Sequence, residues 1–509
     1  MPLPKSESPA QSALASSRLG VGSVVATVMA AAAPLTVIAG GATGGFAVTG
    51  ITGIPLGYLM VAVILGIFAV SFVAMSGKIV NAGAFYTYVT RGLGKILGVS
   101  AAFVAVAAYN VMQVGLYGGF GVALVAFAEL TFGVELPWGA WALGGWLLVA
   151  VLGGRRIDIS GRLLAVLLFS EVAVAMVYAV VQVAHPAGGR VSLTTLEPGN
   201  LVTGPSFWAA LAAAAIALSV AVAGFVGFEG APVFSEETKD PTRTVPSAVY
   251  ISVAFIAVSY AFCVWSMTVA TGPDLIVERA TAEGSDLIFN LSSPYLPAFM
   301  ITLGRLLFVS SLFAALLAFH QAAARYFFAL GRERVLPAWL GRTDPATRAP
   351  LNGSLLQSGI GLAGIGLFVA FRWDPFVQMF FWLTVLGGFG VLILMTVTSV
   401  SVFAFFRNPA NREGVGVFRA TVAPILSSIL LGIILVTTVV KFDVLIGVAP
   451  DHPARWILQG GFAVAAVLGI GWALILKAYR PQVFASLGLG AARIDTRTPS
   501  VATSPAGTR

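Results

Sequence analysis

The sequence predicts an all-α integral membrane protein with twelve transmembrane helices, built as two inverted repeats of five helices plus two extra helices. Three observations predict this fold. Apolar residues make up 58% of the chain and charged residues only 10%, which is typical of a multi-pass membrane protein. The apolar residues form twelve spans, and the first and sixth of these are interrupted at mid-length. The spans cover about residues 19–47, 54–77, 96–128, 138–153, 163–184, 206–234, 246–271, 296–331, 353–371, 376–405, 420–440 and 456–479.

The first span is interrupted at Ala30–Thr36, which contains Pro34, and the sixth span is interrupted at Ala223–Gly230, which contains three glycines. Proline removes a helix donor and glycine loosens the helix, so backbone groups are freed at membrane depth. Lipid cannot satisfy those groups, and such breaks therefore face protein or a wet cavity. A matched pair of breaks in two halves of a chain indicates the binding site of a transporter.

The breaks also indicate the domain organisation. A repeat of five spans that starts on one side of the membrane is followed by a repeat of opposite orientation, so each broken span opens one repeat. We expect a first repeat over residues 19–184, a second, inverted repeat over 206–405 and two further helices over 420–479. Polar tails, predicted to be disordered and cytoplasmic, cover residues 1–18 and 481–509.

Basic residues predict the orientation. With the N-terminus in the cytoplasm, 22 of the 29 lysine and arginine residues fall in the tails and cytoplasmic loops and only five in the outer loops. This asymmetry follows the positive-inside rule and places both termini in the cytoplasm, with the chain in the cytoplasmic (inner) membrane. The net charge of +8 is therefore a topology signal, and no nucleic-acid partner is expected. The long first apolar run does not resemble a cleavable signal peptide.

Two carboxylates lie within the predicted spans, and such residues are functional candidates because they are costly in a membrane. Glu171 is near the middle of the fifth span without a basic neighbour in its helix. Its burial suits a proton carrier, and the alternative is a permanently protonated carboxyl that bridges two helices. Glu229 follows the break of the sixth span, near the start of a half-helix that favours an anion. It either takes part in gating or substrate binding, or caps the unwound segment.

A polar stripe runs along the third span, where Tyr109, Gln113 and Tyr117 are spaced by four residues and so share one helix face. We interpret the stripe as the wall of a solute cavity, and hydrogen bonding between helices is the alternative. Ser310 and Ser311 in the eighth span offer hydroxyl oxygens to a sodium ion. The chain has one cysteine and three histidines and shows no metal-ligand spacing. We therefore expect no metal, no cofactor and no enzymatic activity.

Three stretches resemble the amino acid–polyamine–organocation (APC) superfamily of permeases. The sixth span and the loop after it contain GFE at 227–229 and SEETKDPTRTVPSA at 235–248. The segment between the second and third spans reads NAGAFYTYVTRGLG at 81–94, and the end of the eighth span reads RYFFALGRERVLP at 325–337. The resemblance implies an amino acid permease that works by alternating access, driven by protons or by exchange.

The breaks and the resemblance together predict the solute site. In such permeases the solute binds the unwound backbone of the first and sixth spans, and Tyr109 and Gln113 would add side-chain selectivity. Pro34 has no amide proton to donate to the carboxylate of an amino acid. An amine, a polyamine or another small organic solute is therefore the alternative. Glu171 matches a position where some proton-coupled relatives carry a lysine, and the coupling ion is a proton or a sodium ion. The predicted substrate-binding residues are Ala33, Pro34, Leu35, Thr36, Tyr109, Gln113, Gly224, Phe225 and Gly227.

Charged residues of two loops predict a cytoplasmic gate. Both loops face the same side, and the second carries charges of both signs. Opposite charges at a closing interface bias two states by about a kcal/mol. We expect these residues to latch the gate on the cytoplasmic side, together with Glu229: Lys78, Arg91, Glu236, Glu237 and Arg243.

Overall fold

The structure, a computed structural model, describes residue 14 and residues 16–154, 157–202 and 204–490, without the side chains of 157–160. Twelve main helices follow one another in this part of the chain, and eleven of them are long and apolar enough to cross a membrane. The exception is the fourth, which has 16 residues. We number them α1 Val21–Thr49, α2 Ile54–Ser76, α3 Lys95–Phe132, α4 Trp138–Gly153, α5 Ile157–Ala184, α6 Phe207–Glu237, α7 Pro241–Thr271, α8 Ala298–Arg332, α9 Leu351–Phe371, α10 Pro375–Phe406, α11 Phe418–Val440 and α12 Ala454–Tyr479.

These bounds confirm the predicted all-helical membrane fold, with eleven helices long and apolar enough to cross and α4 as a shorter apolar helix at the fourth predicted span. The largest shift is at α5, which begins at Ile157 and not at residue 163. The next largest is at α7, which we expected to begin at residue 246. Asp240 caps this helix by accepting hydrogen bonds from the amides of Thr242 and Arg243, and Pro241 occupies its first turn. A capping carboxylate followed by proline is a favourable helix start, so the helix begins five residues earlier and contains Pro246.

The centre of the bundle is formed by α1, α3, α6 and α10. In each of these helices 67% of the residues in the most apolar stretch are buried, compared with 22% in α12. Small residues allow the close packing of these helices, as is common in membrane bundles. A Cβ atom at Gly118 of α3 would lie 2.4 Å from the carbonyl oxygen of Pro375 in α10. The helices α11 and α12 lie outside this centre, against α10 and α3.

Both ends of the described chain lie at the same end of the bundle, which we call the terminal face. Leu19 pairs with Thr238, where α6 ends. The amides of Gly488 and Gly490 donate to the carboxylate of Glu333, at the end of α8. The short helix Ala84–Leu93 between α2 and α3 belongs to this face as well, since Tyr86 also donates to Glu333.

The tails differ from the expectation of disorder where they are described. Pro481–Ala485 forms a short helix, and Leu487 is buried. At the other end Leu14 is buried against Ala82 and Phe328. The apolar side chains Leu14 and Leu487 stabilise these two docked segments, which the polar composition of the tails conceals. The remaining predicted tail, residues 1–13, 15 and 491–509, lies outside the described residues.

Candidate functional site

The interruption of α1 is a single residue, Ala33, which has a left-handed backbone (φ 45°). We expected a wider break over Ala30–Thr36. The helix resumes at once because Pro34 stands at the first position of a new helical segment, where no amide donor is needed. The carbonyl of Ala32, freed by the break, accepts a hydrogen bond of 2.8 Å from the hydroxyl of Tyr260. The amide of Thr36 donates to the hydroxyl of Ser311 at 3.3 Å.

The interruption of α6 lies at Val226 and Gly227, between a helix that ends at Phe225 and a 3₁₀ segment over Phe228–Glu237. Gly227 has φ 127°, a conformation that favours glycine. A Cβ atom there would lie 2.9 Å from both the Cβ of Ala31 and the amide nitrogen of Ala32. The break of α6 therefore packs against the turn of α1 that precedes Ala33, and only glycine allows this close contact.

Glu229 binds the broken segment of its own helix. Its carboxylate is buried and accepts hydrogen bonds from the amide of Gly227 at 2.7 Å and from the hydroxyl of Tyr109 at 3.0 Å. This is the geometry of a cap, which was one of the two roles expected for Glu229, and it links α6 to α3.

A small cavity of about 80 Å³ lies between the two breaks. Of the residues predicted to bind the solute, Ala33, Thr36 and Gly224 line it. Most of the wall is apolar and comes from α1, α3, α6, α8 and α10. The other lining residues are Ala31, Ala32, Val37, Gly41, Tyr58, Met112, Leu116, Val220, Ala223, Val226, Phe319, Phe380, Phe381, Thr384 and Val385.

The other predicted substrate residues lie beside this cavity and do not line it. Gln113 donates to the carbonyl of Leu316 at 3.3 Å and accepts from Gln357, so its amide bridges three helices. Phe225 packs against the rings of Tyr58 and Tyr260. Tyr109 contacts Glu229 as described, Gly227 contacts the backbone of α1, and Pro34 and Leu35 are buried in α1.

Tyr58 of α2 lines the cavity and was missed by the sequence analysis. It is fully buried, and its hydroxyl has no hydrogen-bond partner among the described residues. No periodic signal could have found it, because α2 is apolar all round and carries only one tyrosine. Phe380 of α10 also lines the cavity.

Glu171 lies where α5 packs against α1 and α8. The carboxylate is fully buried and faces the hydroxyl of Ser311 and the amide of Leu35, just after the break in α1. Neither oxygen makes a hydrogen bond of good geometry within the described residues. The carboxyl is therefore placed against the segment of α1 that borders the cavity.

The terminal face is closed below the cavity by two buried ion pairs between α6 and α8. Glu237 pairs with Arg325 at 2.5 Å, and Glu236 pairs with Arg332 at 2.6 Å. Glu236 also accepts a hydrogen bond of 3.0 Å from the amide of Ala82, which ties the loop between α2 and α3 to the same point. The acidic residues expected to form a gate thus meet two arginines of α8.

The basic residues expected in this gate lie elsewhere. Arg243 and Arg91 are exposed, and the ammonium of Lys78 donates to the carbonyl of Glu413. We predicted that these basic residues pair with the acidic ones only because both loops face the same side of the membrane. That information does not specify which side chains are in contact.

A second cavity, of about 340 Å³, lies toward the opposite face. Its wall includes Arg305, Asp286 and Glu283 as well as Phe376 and Phe380. Phe380 is shared by both cavities. It packs between α1 and α3, because a Cβ at Gly40 would lie 3.5 Å from its ring and a Cβ at Gly119 would lie 2.6 Å from it. Phe380 therefore lies between the central cavity and the larger one.

Paired helix breaks around a central cavity, within a bundle of apolar helices, define a multi-pass membrane transporter. Comparison with known sequences specifies the family. The chain matches the amino acid permease family over residues 24–484 and belongs to it. This family lies within the APC superfamily, which confirms the resemblance noted from the motifs.

Three relatives illustrate the range of solutes named in the family. The chain is 28% identical over 252 residues to cationic amino acid transporter 7 of Arabidopsis thaliana, a match that covers 48% of this chain and 37% of the relative. It is 23% identical to the low-affinity putrescine importer PlaP of Escherichia coli, covering 75% of this chain and 81% of the relative. It is also 23% identical to the branched-chain amino acid permease BcaP of Lactococcus lactis, covering 74% and 79%.

Proposed function

We propose that this chain is a secondary active transporter, and not an enzyme, that moves an amino acid across the cytoplasmic membrane by alternating access with a proton as the coupling ion. The central observation is the cavity between the two helix breaks, with ion pairs toward one face and the ring of Phe380 toward the other. A site with a separate barrier toward each face can open to one side at a time. Both termini, and with them the terminal face, lie in the cytoplasm.

Uptake of radiolabelled amino acids into proteoliposomes tests this proposal. With a pH gradient, acid outside, we expect accumulation that a protonophore abolishes. Matched vesicles with a sodium gradient and no pH gradient test the other coupling ion, which the hydroxyls of Ser311 and Thr36 beside Glu171 would suit. Transport that occurs only in vesicles preloaded with amino acid would instead indicate an obligate exchanger.

Glu171 is proposed as the coupling site. Its carboxyl is buried at the junction of α1, α5 and α8, where a change of charge acts directly on the helix that borders the solute. A buried charge is costly without a partner, so gain and loss of a proton would favour different packings of the three helices.

Glu171→Gln tests this role, because glutamine resembles the protonated carboxyl and cannot release a proton. We expect gradient-driven accumulation to disappear while counterflow exchange survives. Accumulation that persists with its pH dependence intact would assign Glu171 a purely structural role.

An amine or polyamine is the second candidate solute. Pro34 removes one amide donor at the break of α1, and Glu229 occupies the amide of Gly227 at the break of α6. Fewer free amides leave fewer partners for a carboxylate. Putrescine uptake in the same vesicles, with unlabelled amino acids as competitors, separates the two candidates.

A further inference from the structure

The central cavity contains few polar groups. Among its described lining residues there is no carboxylate and no basic side chain, and the polar side chains are Thr36, Tyr58 and Thr384. Thr36 donates to the hydroxyl of Ser311 at 3.0 Å, and Thr384 donates to the carbonyl of Phe380 at 2.7 Å. The hydroxyl of Tyr58 is therefore the polar side-chain group of this wall that is left without a partner.

A buried hydroxyl without a partner requires an explanation, since nearly all such groups in proteins are hydrogen-bonded. The ring of Tyr58 is held in place: it packs edge-on against Tyr260, with ring centroids 5.5 Å apart at 89°. Gly224 leaves room beside it, because a Cβ at that position would lie 3.2 Å from the ring carbon Cε1 of Tyr58. The hydroxyl lies beside Gly224 of the cavity wall, 3.5 Å from where a Cβ at that position would be.

The apolar wall restricts the rest of the solute. A cavity of about 80 Å³ accommodates a small molecule, and its alanine, valine and phenylalanine side chains favour an aliphatic group. A second positive charge, as on a diamine or a cationic amino acid, would be buried without a counter-charge in this wall, at a high cost. The single ammonium of a neutral amino acid would meet carbonyl groups where the first half of α6 ends at Phe225.

We propose that the solute is a neutral amino acid with a short aliphatic side chain and that the hydroxyl of Tyr58 donates a hydrogen bond to its carboxylate. This inference rests on the proposed function and specifies its substrate class. Tyr58 acts as a specificity-determining residue, because its hydroxyl supplies a hydrogen-bond donor to the solute. The amides of Thr36 and Gly227 at the two breaks already donate within the protein.

The test is uptake of alanine, valine, lysine and putrescine by the wild type and by Tyr58→Phe in proteoliposomes. Phenylalanine keeps the ring packing and removes only the donor. We expect the wild type to carry alanine and valine and to exclude lysine and putrescine. Tyr58→Phe should raise the KM for alanine about tenfold or more, which corresponds to one charge-assisted hydrogen bond, with little change in maximal rate.

Tyr88→Phe is the matched control, since Tyr88 is equally buried but packs against Phe72 outside the cavity. Its KM should stay at the wild-type value. An unchanged KM in Tyr58→Phe, or wild-type transport of lysine or putrescine in preference to alanine, would overturn the inference and leave the transporter role intact. If the wild type carries no amino acid under any gradient, the proposed function fails and the inference fails with it.

Discussion

The ion pairs at the terminal face are nearly excluded from solvent. The side chains of Arg325 and Glu237 are only 4% and 2% exposed. Two opposite charges in such a place roughly balance their desolvation cost, but loss of one partner leaves the other charge buried and unpaired, at about 3–5 kcal/mol. The closed terminal face therefore depends on keeping both partners or neither.

We expect Glu237→Gln and Arg325→Gln each to open the terminal face, and the double variant to recover much of the closed population. The measurement is alkylation of a cysteine introduced at Ala31, which lines the cavity, in a background where Cys263 is replaced by alanine.

Arg243→Gln serves as the control, because Arg243 is exposed and exposed charges contribute little. Equal alkylation rates in the wild type and the two single variants would contradict a gating role for this pair.

At the scale of the helices, the contact of α1 with the break of α6 depends on Gly227. Gly227→Ala forces a side chain into a backbone with φ 127° and against Ala32. The strain is about 1–3 kcal/mol, before any movement of α1. We expect at least a severalfold loss of uptake in proteoliposomes from a protein that still elutes as a single species on size exclusion.

Gly230→Ala is the matched control, since it lies in the same segment with nothing within 4 Å of the added Cβ. Similar losses in both variants would indicate that the 3₁₀ segment, and not the contact with α1, is the sensitive feature.

The sequence predicted which helices are broken but not how wide each break is. Pro34 correctly marks the interruption of α1, yet proline also starts helices well, so the break shrinks to Ala33. In α6 the glycines allow a longer departure from α-helix, which extends as a 3₁₀ segment to Glu237. The contribution of Tyr58 depends on tertiary packing between α2 and α6, which no local pattern encodes.

At the scale of the whole molecule, the sequence could not predict which side chains meet at each of the two faces. The charges of Glu236 and Glu237 were recognised, but their partners lie 96 and 88 positions away in α8. The positive-inside rule predicts on which side of the membrane a loop lies, but it cannot predict which charged residues form ion pairs. Likewise, only the packing of α1, α3 and α10 places Phe380 between two cavities.

We expect Phe380→Ala to join these cavities and to weaken gradient-driven accumulation. Without the ring, the solute site would stay open at the face opposite the termini. When the terminal face opens as well, solute would leak through both faces at once. The measurement is efflux of preloaded solute from proteoliposomes, which should rise severalfold.

Phe376→Ala is the control, since Phe376 lines only the larger of these two cavities. Its ring centroid lies 5.6 Å from that of Phe380. Efflux that is unchanged in Phe380→Ala would indicate a different barrier.

The carboxylate of Glu333 receives four donors from two separate segments: Asn81 and Tyr86, between α2 and α3, and the amides of Gly488 and Gly490 near the end of the described chain. A fluorescent reporter or affinity tag joined directly after residue 480 would replace those last two amides and leave a buried carboxylate short of donors. Such fusions would perturb the end of α8 at the terminal face. A junction beyond Gly490 keeps both amides in place, and this sets where a reporter can be attached without altering the protein that it is meant to track.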